Sequence, residues 1–429
     1  MAGTDRISAL PLDIKVTILS GLTIKEAVRT SSLAHSWRHL WTFLPGLEVG
    51  PLSVDQNASR FADSRWFDLL HHLLTSLRGP FLYFAICNGF GADQSGRLQI
   101  LLDLAFQRGG VEVLAIRDLH GQVAVHLPYF HALEVLHLSD CDLSLPPGFQ
   151  GFNKLLILEL LQVCISNNDL QLLIDTSKQL SIFKCYLASD GDDPYSVTIR
   201  SQTLTNLEFG IYEAIERVRI DSAPRLEEVH ITGADNLSEE FAPVTLGLLS
   251  GITMVSYLEL TCDVLKTLSP VGARCSLPVT FNNLRCLKLS MSTLAVEKGM
   301  YDVFTCLLRS APLLEKLHIR SFDLEPSPSE SHAILLSECV KKQDGFRCLN
   351  QSLTSVTIKM SKLDVITSIW MIHFLLLNAN VLKLMMIEYN KGCEVEPNMI
   401  EELCKAKVTS SDAKLVIWRC KEKVKINVK

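Results

Sequence analysis

The residues of this chain that could carry chemistry are few and do not gather into a site. His71, His72, His120, His126 and His131 fall in one stretch. They lack the combined Cys/His spacing of a tetrahedral zinc site, so they read as surface or packing residues. Thirteen cysteines are scattered without a single C-x-x-C pair, a pattern of isolated thiols in a reducing compartment rather than of a disulfide framework. Gly89-Phe90-Gly91 lacks the third glycine of a dinucleotide fingerprint, and no GxxxxGKS/T, HExxH or GxSxG string occurs. Asp190 to Pro194 (DGDDP) reads as a turn, because a calcium loop needs a glutamate at its twelfth position. No nucleophile stands beside a base. The expectation is a chain that binds rather than reacts, without metal or cofactor.

The elements behind those residues are set by apolar patterning. The chain has 429 residues, 48% of them hydrophobic, with mean hydropathy +0.22; either membrane spans or a solenoid of leucine-rich repeats raises that figure. The best span candidate, Ser368 to Ile387, contains His373, Asn378, Asn380 and Lys383, which are costly in lipid. It is expected to be a buried helix followed by a strand. The N-terminal MAGTDRISALP has no basic stretch leading into an apolar run, so no secretory signal is expected. A net charge of −6 argues against nucleic acid as the main partner. The basic stretch from Lys405 to Lys429 reads as a solvated tail or final strand.

One string recurs through most of the chain: L-x-x-L-x-L, beginning at Val111, Leu133, Leu155, Leu180, Leu204, Leu226, Val255, Leu284, Leu314, Leu353 and Val381. The early steps are 22 to 25 residues and the later ones 28 to 39. A shared inner spacing and period predict a stacked α/β solenoid: one short parallel strand per repeat on the concave side, helices or turns behind. Helices are expected at Gly96 to Arg108, Tyr301 to Arg309 and Ile369 to Leu377. The loop Asp323 to Ser331 (DLEPSPSES) reads as an insert on the rim.

Ahead of the repeats, Asp5 to Trp41 reads as three short helices. Leu10-Pro11 suits a helix start; Ile14, Ile18, Leu19 and Leu22 recur at helical spacing, and Gly21 is a stop. Thr23-Ile24-Lys25-Glu26 forms a capping box for a second helix carrying Ala27, Val28 and Leu33. A third carries Trp37, Leu40 and Trp41. Forty residues bury too little surface to stand alone, so this unit needs a partner.

The string DRISALPLDIKVTILSGLTIKEAVRTSSLAHSWRHLW closely resembles the F-box of plant F-box/leucine-rich-repeat proteins. The shared elements are Asp5-Arg6-Ile7-Ser8, Leu10-Pro11, Ile18-Leu19-Ser20, Lys25-x-Ala27-Val28-Arg29-Thr30-Ser31 and Trp37-Arg38-x-Leu40-Trp41. Phe281 to Ile319 and Leu353 to Ile387 resemble that family's C-terminal repeats with an FBD-like segment, and Asp412 to Arg419 (DAKLVIWR) resembles its final strand. The resemblance implies an F-box at 1–50, a linker and solenoid cap at 51–110, repeats at 111–345 and FBD-like repeats at 346–429. It also implies a non-catalytic substrate-recognition subunit of an SCF-type E3 ubiquitin ligase, cytoplasmic and/or nuclear. Its partners would be a Skp1-type adaptor, through it a cullin scaffold, and a target protein whose identity stays open. Leu10, Pro11, Ile14, Ile18, Leu19, Leu22, Val28, Leu33 and Trp37 would divide between the adaptor interface and the small domain's core. Leu12, Thr23 and Ala34-His35-Ser36 depart from the family pattern; they leave open a non-ligase interaction scaffold with a degenerate F-box.

In L-x-x-L-x-L the third and fifth positions face out of the sheet. The first four third positions, Val113, Val135, Ile157 and Ile182, make an apolar strip, open to a partner or covered by residues 51–110. Further on, Glu208, Glu228 and Glu259 with Tyr257 and His230 make an acidic patch. The expectation is a target segment with apolar anchors near Ile157 and Ile182 and basic groups toward Glu228.

Overall fold

The computed structural model describes the chain except for residues 1–6, 51–63, 88–89, 120–122, 189–193, 235–236, 273–276, 293–297, 323–344, 361–364, 390–407, 420–421 and 426–429. The Asp323–Ser331 loop, most of the DGDDP turn and His120 therefore lie outside the described residues. Two compact units form, Met1–Leu204 and Thr205–Lys429.

The first unit opens with α1 (Leu12–Ser20) and α2 (Ile24–Arg29). The capping box at Thr23 is present: its hydroxyl accepts from the Glu26 N–H, and the Glu26 carboxylate accepts from the Thr23 N–H. The expected third helix does not form. The chain makes tight 3-10 turns at His35–Trp37 and Leu40–Phe43, separated by His39 in the left-handed region at φ 66°. A left-handed residue breaks the run of helical dihedrals, so no continuous third helix is possible.

The parallel ladder starts earlier than the sequence motif suggested. β1 (Gly46–Val49) pairs with β2 (Tyr83–Cys87), and β2 pairs with β3 (Val113–Arg117). Leu44, Leu47 and Val49, and Phe81, Phe84 and Ile86, occupy the three inward positions and are buried. The second of these repeats places phenylalanine where the motif has leucine, whereas Leu44-x-x-Leu47-x-Val49 keeps the motif within the segment read as F-box. Between β1 and β2, α3 (Ser64–Ser76) buries Leu70, Leu73 and Leu74; α4 (Ser95–Arg108) follows and buries Leu98, Leu101, Leu102 and Ala105. The F-box-like segment is tied to these strands through the backbone. Thr42 O accepts from the N–H groups of Arg78 and Gly79, and Pro45 O from Leu82 and Tyr83.

The ladder continues through β5 (Val135–Ser139), β7 (Ile157–Ile165) and β8 (Ile182–Leu187), all parallel. A second, smaller ladder joins β4 (Val123–His126), β6 (Cys141–Ser144) and the end of β7. The turn between the two ladders has a periodic cause. Asp118, Asp140 and Gln162 all take positive φ, from 52° to 57°, and each is the eighth residue of its repeat. At two of the three the residue is aspartate, whose short polar side chain tolerates this geometry. α5 (Asn167–Thr176) then carries Asn167 and Gln171, whose amides both donate to and accept from the backbone of β9 (Tyr195–Arg200) and the residue before it.

In the second unit the parallel order is β10 (Asn206–Ile211), β12 (Glu228–Gly233), β13 (Tyr257–Leu260), β14 (Cys286–Ser292), β15 (Lys316–Phe322), β16 (Ser355–Met360), β17 (Leu384–Tyr389) and β18 (Lys414–Arg419); β11 is Ile215–Ser222. β19 (Glu422–Lys425) pairs antiparallel with β18, so DAKLVIWR is not the last strand. α6 (Ala242–Ser250), α7 (Cys262–Thr267), α8 (Ser269–Gly272), α9 (Lys298–Ser310), α10 (Arg347–Gln351) and α11 (Val365–Asn378) fill the connections. The apolar Ser368–Ile387 stretch is a helix end followed by a strand, with Trp370, Ile372, Phe374 and Leu375 buried. Among the described residues no helix is long and apolar enough to cross a membrane.

One hydrogen-bond rule runs through both ladders. The carbonyl at position two accepts from the N–H groups at positions two and three of the next repeat, as Glu227 O does from Ser256 and Tyr257, and Ser256 O from Arg285 and Cys286. Thr354 O accepts from Lys383 and Leu384, which corrects the register of the last repeat by one residue. Leu382, Met385 and Ile387 point inward and are fully buried, so Leu384 and Met386 face outward, not Lys383 and Met385. A one-residue slip exchanges every side chain between faces, and the run Val381-Leu382-Lys383-Leu384-Met385-Met386 permitted either choice.

Candidate functional site

Two kinds of surface carry the candidate residues, one on the N-terminal segment and one on the outward strand rows of each unit, with different physics. On the first, α1 has apolar residues on two sides. Leu19 is fully buried, whereas Ile14 and Ile18 are each 44% exposed and Leu22 is exposed beyond them. Ile14 and Ile18 are spaced by four and share a helical face, and Leu22 follows the end of the helix. Pro11, Val28 and Leu33 are also exposed, Leu33 at 72%, while Leu10 is half-buried. Leu12, which the sequence marked only as a departure, is also exposed.

Trp37 lies on the opposite side. It is 5% exposed and packs with Leu19, Ile24, Ala27, Leu40, Trp41 and Leu44 in the buried set of this segment. Its indole Nε1 donates to Ser8 Oγ at 3.1 Å, the Lys15 ammonium lies 5.9 Å from its ring centroid, and Lys15 Nζ donates to Ser8 O at 2.6 Å. A buried indole finds a partner for its N–H and a cation for its face. Of the nine residues singled out here, Leu19 and Trp37 are therefore core.

Beside the turn from Ser20 to Ile24 an open cavity of about 710 Å³ reaches β1 and β2, with Glu48, Tyr83, Cys87 and Asp118 among its walls. At its wall β1 and β2 pack closely, and this requires glycine at position 46: a Cβ there would lie 2.5 Å from Tyr83 O. Burial, with Glu48 beside it, pushes the Tyr83 phenol up to about 12.

The second surface is the outward row of the ladders. At positions one, four and six the leucines, isoleucines and valines of the repeats are buried, and at positions three and five the side chains are mostly half-buried or exposed. In the first unit Val113, Val135, Ile157 and Ile182 stand in one register and are half-buried. Tyr83, within residues 51–110, extends the strip, since it is in register with Val113 and half-buried.

The fifth positions form ion-pair chains that the sequence reading missed. His137 Nδ1 is 2.5 Å from Glu159 Oε2, and Lys184 Nζ is 3.0 Å from Glu159 Oε1. In the second unit the same order recurs: His230 Nδ1 lies 2.9 Å from Glu259 Oε2, and Lys288 Nζ 2.7 Å from Glu259 Oε1. Each triad spans three adjacent strands in register. The repeat period was the available signal, because it places 137, 159 and 184, and 230, 259 and 288, side by side.

These contacts change the reading of Glu208, Glu228 and Glu259. Burial would raise the Glu259 carboxyl, but hydrogen bonds from His230, Lys288 and Tyr257 and the Lys288 charge bring it to about 2. The Tyr257 hydroxyl donates to Glu259 Oε2 at 3.0 Å, and burial beside that carboxylate pushes its phenol above the usual tyrosine value. Glu228 accepts from Asn206 Nδ2 at 2.7 Å, and Glu208 is engaged as well. The expected acidic patch is thus largely satisfied within the protein. Burial holds His137 below the usual histidine value against the pull of Glu159.

A pH prediction follows with a definite sign. A carboxyl whose folded value is depressed contributes stability that is complete above its unfolded value and is lost as pH falls toward the folded one. Glu259 therefore stabilises the second unit above about pH 4.5 and loses that contribution between there and about pH 2. Glu259→Gln is expected to cost on the order of 2 kcal/mol at neutral pH and to flatten the acid limb of the stability profile. Urea unfolding of both proteins across this range checks it; parallel profiles would show that the triad contributes nothing.

Among the described residues no group of His, Cys, Asp and Glu is placed to hold a metal ion. The outward rows present ion pairs and apolar strips on an open sheet face, a surface suited to a macromolecular partner.

Comparison with known proteins agrees with this architecture. Residues 104–319, half of the chain, match the family described as FBD-associated F-box protein At5g56370, LRR repeats. The chain is 24% identical to the F-box/FBD/LRR-repeat protein At1g13570 of Arabidopsis thaliana, over 82% of this chain and 84% of that protein. It is 27% identical to the F-box protein At3g59000 of the same plant, over 83% and 80%. It is 25% identical to the FBD-associated F-box protein At5g18780, also from Arabidopsis thaliana, over 97% and 98%. With its ladder, its N-terminal helical segment and this match over half its length, the chain belongs to the leucine-rich-repeat family of FBD-associated F-box proteins.

Proposed function

We propose that the chain is the substrate-recognition subunit of an SCF-type E3 ubiquitin ligase. Its N-terminal face would dock a Skp1-type adaptor and, through it, a cullin scaffold, while the outward rows of the repeats hold a target protein. The observation that carries this reading is the exposure of Ile14 and Ile18 on one face of α1, with Leu12, Leu22 and Leu33 of the same N-terminal segment also exposed, beside a small core that includes Trp37. Covering a side chain of this size returns roughly 1.5–3 kcal/mol each when burial is complete, and a contiguous set in water marks an interaction site.

In this role the chain does no bond chemistry; it supplies proximity, and ubiquitin transfer belongs to other subunits. The backbone tie between the Thr42–Pro45 segment and the first repeats supports it, since a handle joined firmly to its ladder holds cargo in a defined place. The scattered thiols of the sequence support a cytoplasmic and/or nuclear setting. Co-purification of the full chain with a Skp1-type adaptor tests the proposal. Failure of the wild-type chain to retain the adaptor would favour a non-ligase scaffold.

A further inference from the structure

The outward face of the second unit changes character along its strands. Beyond the His230–Glu259–Lys288 triad, β15 presents Lys316, His318 and Arg320 on one face, at positions three, five and seven. Register places Lys288 beside His318, and Lys359 beside Arg320. Lys288, Lys316, Arg320 and Lys359 thus surround His318, with Glu259 and Glu388 as the carboxylates paired to Lys288 and Lys359. Among the described residues Lys316 has no ion-pair partner, and it is exposed. His318 reports the surplus: burial first, then the charges of Lys288, Lys316 and Lys359, hold its imidazole below the usual value, opposed by Glu388.

Immediately beyond, the same rows turn apolar. Leu384 is in register with Ser355, Met386 with Thr357 and Val416 with Met386; Leu384, Met386 and Val416 are half-buried on the outward face. Two strand spacings, about 10 Å, separate β15 from β17. An extended segment crossing the strands covers that distance in about three residues.

We propose that this face binds a target segment in which clustered Asp/Glu carboxylates are followed, about three residues on, by aliphatic side chains. The carboxylates would meet Lys316, His318 and Arg320, and the aliphatic groups would meet Leu384, Met386 and Val416. This rests on the receptor reading above and gives the target a chemistry. It reverses the sequence expectation of basic groups toward Glu228, because the glutamates are consumed inside the protein while a cation is left over. Charge complementarity selects the partner's sign and speeds encounter, and the apolar neighbours hold it.

The test uses the full chain and a fluorescein-labelled peptide with a run of glutamates, a Gly-Ser spacer and two leucines, read by anisotropy. Expected are saturable binding that weakens with salt, a loss of about tenfold or more with Lys316→Glu, and a smaller loss with Leu384→Ser that leaves the salt dependence intact. Lys316→Gln is the milder variant should Lys316→Glu lower the melting temperature. The proposal is overturned if a lysine-for-glutamate peptide binds equally well, or if the Lys316 variants bind like wild type. It is also overturned if a carboxylate-free phosphoserine peptide or single-stranded nucleic acid is bound in place of the acidic peptide. Adaptor retention is read on the same samples. Peptide binding without it removes the receptor reading alone, and adaptor retention without peptide binding removes this inference alone.

Discussion

Ile14→Asp combined with Ile18→Asp is expected to abolish retention of a Skp1-type adaptor while changing the unfolding free energy of the chain by no more than about 0.5 kcal/mol. Both side chains stand substantially in water on one face of α1, whereas the adjacent Leu19 is fully buried. Exposed positions away from caps and cores tolerate polar replacement, so folding has little to lose. Binding has more. Central apolar anchors cost about 2 kcal/mol or more each when truncated, and two of them correspond to a loss of roughly a thousandfold. Placing carboxylates in the contact adds desolvation without a partner. Surface plasmon resonance with immobilised adaptor measures the first quantity and urea unfolding the second. Unchanged retention would move the docking surface off this helix face.

Trp37→Ala should behave in the opposite way, lowering stability first and adaptor retention as a consequence. The indole is nearly enclosed, donates to Ser8 Oγ and lies beneath the Lys15 ammonium. Truncating a buried tryptophan costs about 3–5 kcal/mol through lost burial and the cavity left behind. The loss should appear as early proteolysis of the N-terminal segment and a lower urea midpoint. Trp37→Phe keeps most of the volume, gives up the bond to Ser8 and should fall between. The two sets of substitutions separate a contact residue from a core residue. If Trp37→Ala unfolds like wild type yet retains no adaptor, the indole is an interface anchor and the burial assignment is at fault.

Much was legible before any coordinates. L-x-x-L-x-L repeats every two dozen residues because a stacked coil buries three side chains per strand, and no other arrangement hides that many leucines at that spacing. From Val111 to Leu353 the inward positions named by the pattern are buried in the structure. The capping box at Thr23 was legible for a similar reason, since cap and partner are three residues apart and the contact is local.

The misses share one cause: they depend on which neighbour a residue meets. The repeat at Phe81 satisfies the burial rule with phenylalanines that a leucine motif overlooks, and the one at Leu44 is recognised as a repeat only by its pairing with β2. At Val381 the apolar run offered two registers, and pairing with β16 chose between them. His39 adopts a left-handed conformation that no propensity demanded, and it replaces a helix by two turns.

The sequence by itself determined the architecture, the family and the apolar character of the N-terminal handle, because these follow from periodicity and short-range patterning. Only the tertiary structure decided which apolar residues of the handle face water, turning Trp37 inward and Ile18 outward from one helical pattern. It also decided the sign of the outward face. Formal charges along a sequence add, but charges on adjacent strands pair, and pairing leaves Glu259 neutralised and Lys316 exposed among cations.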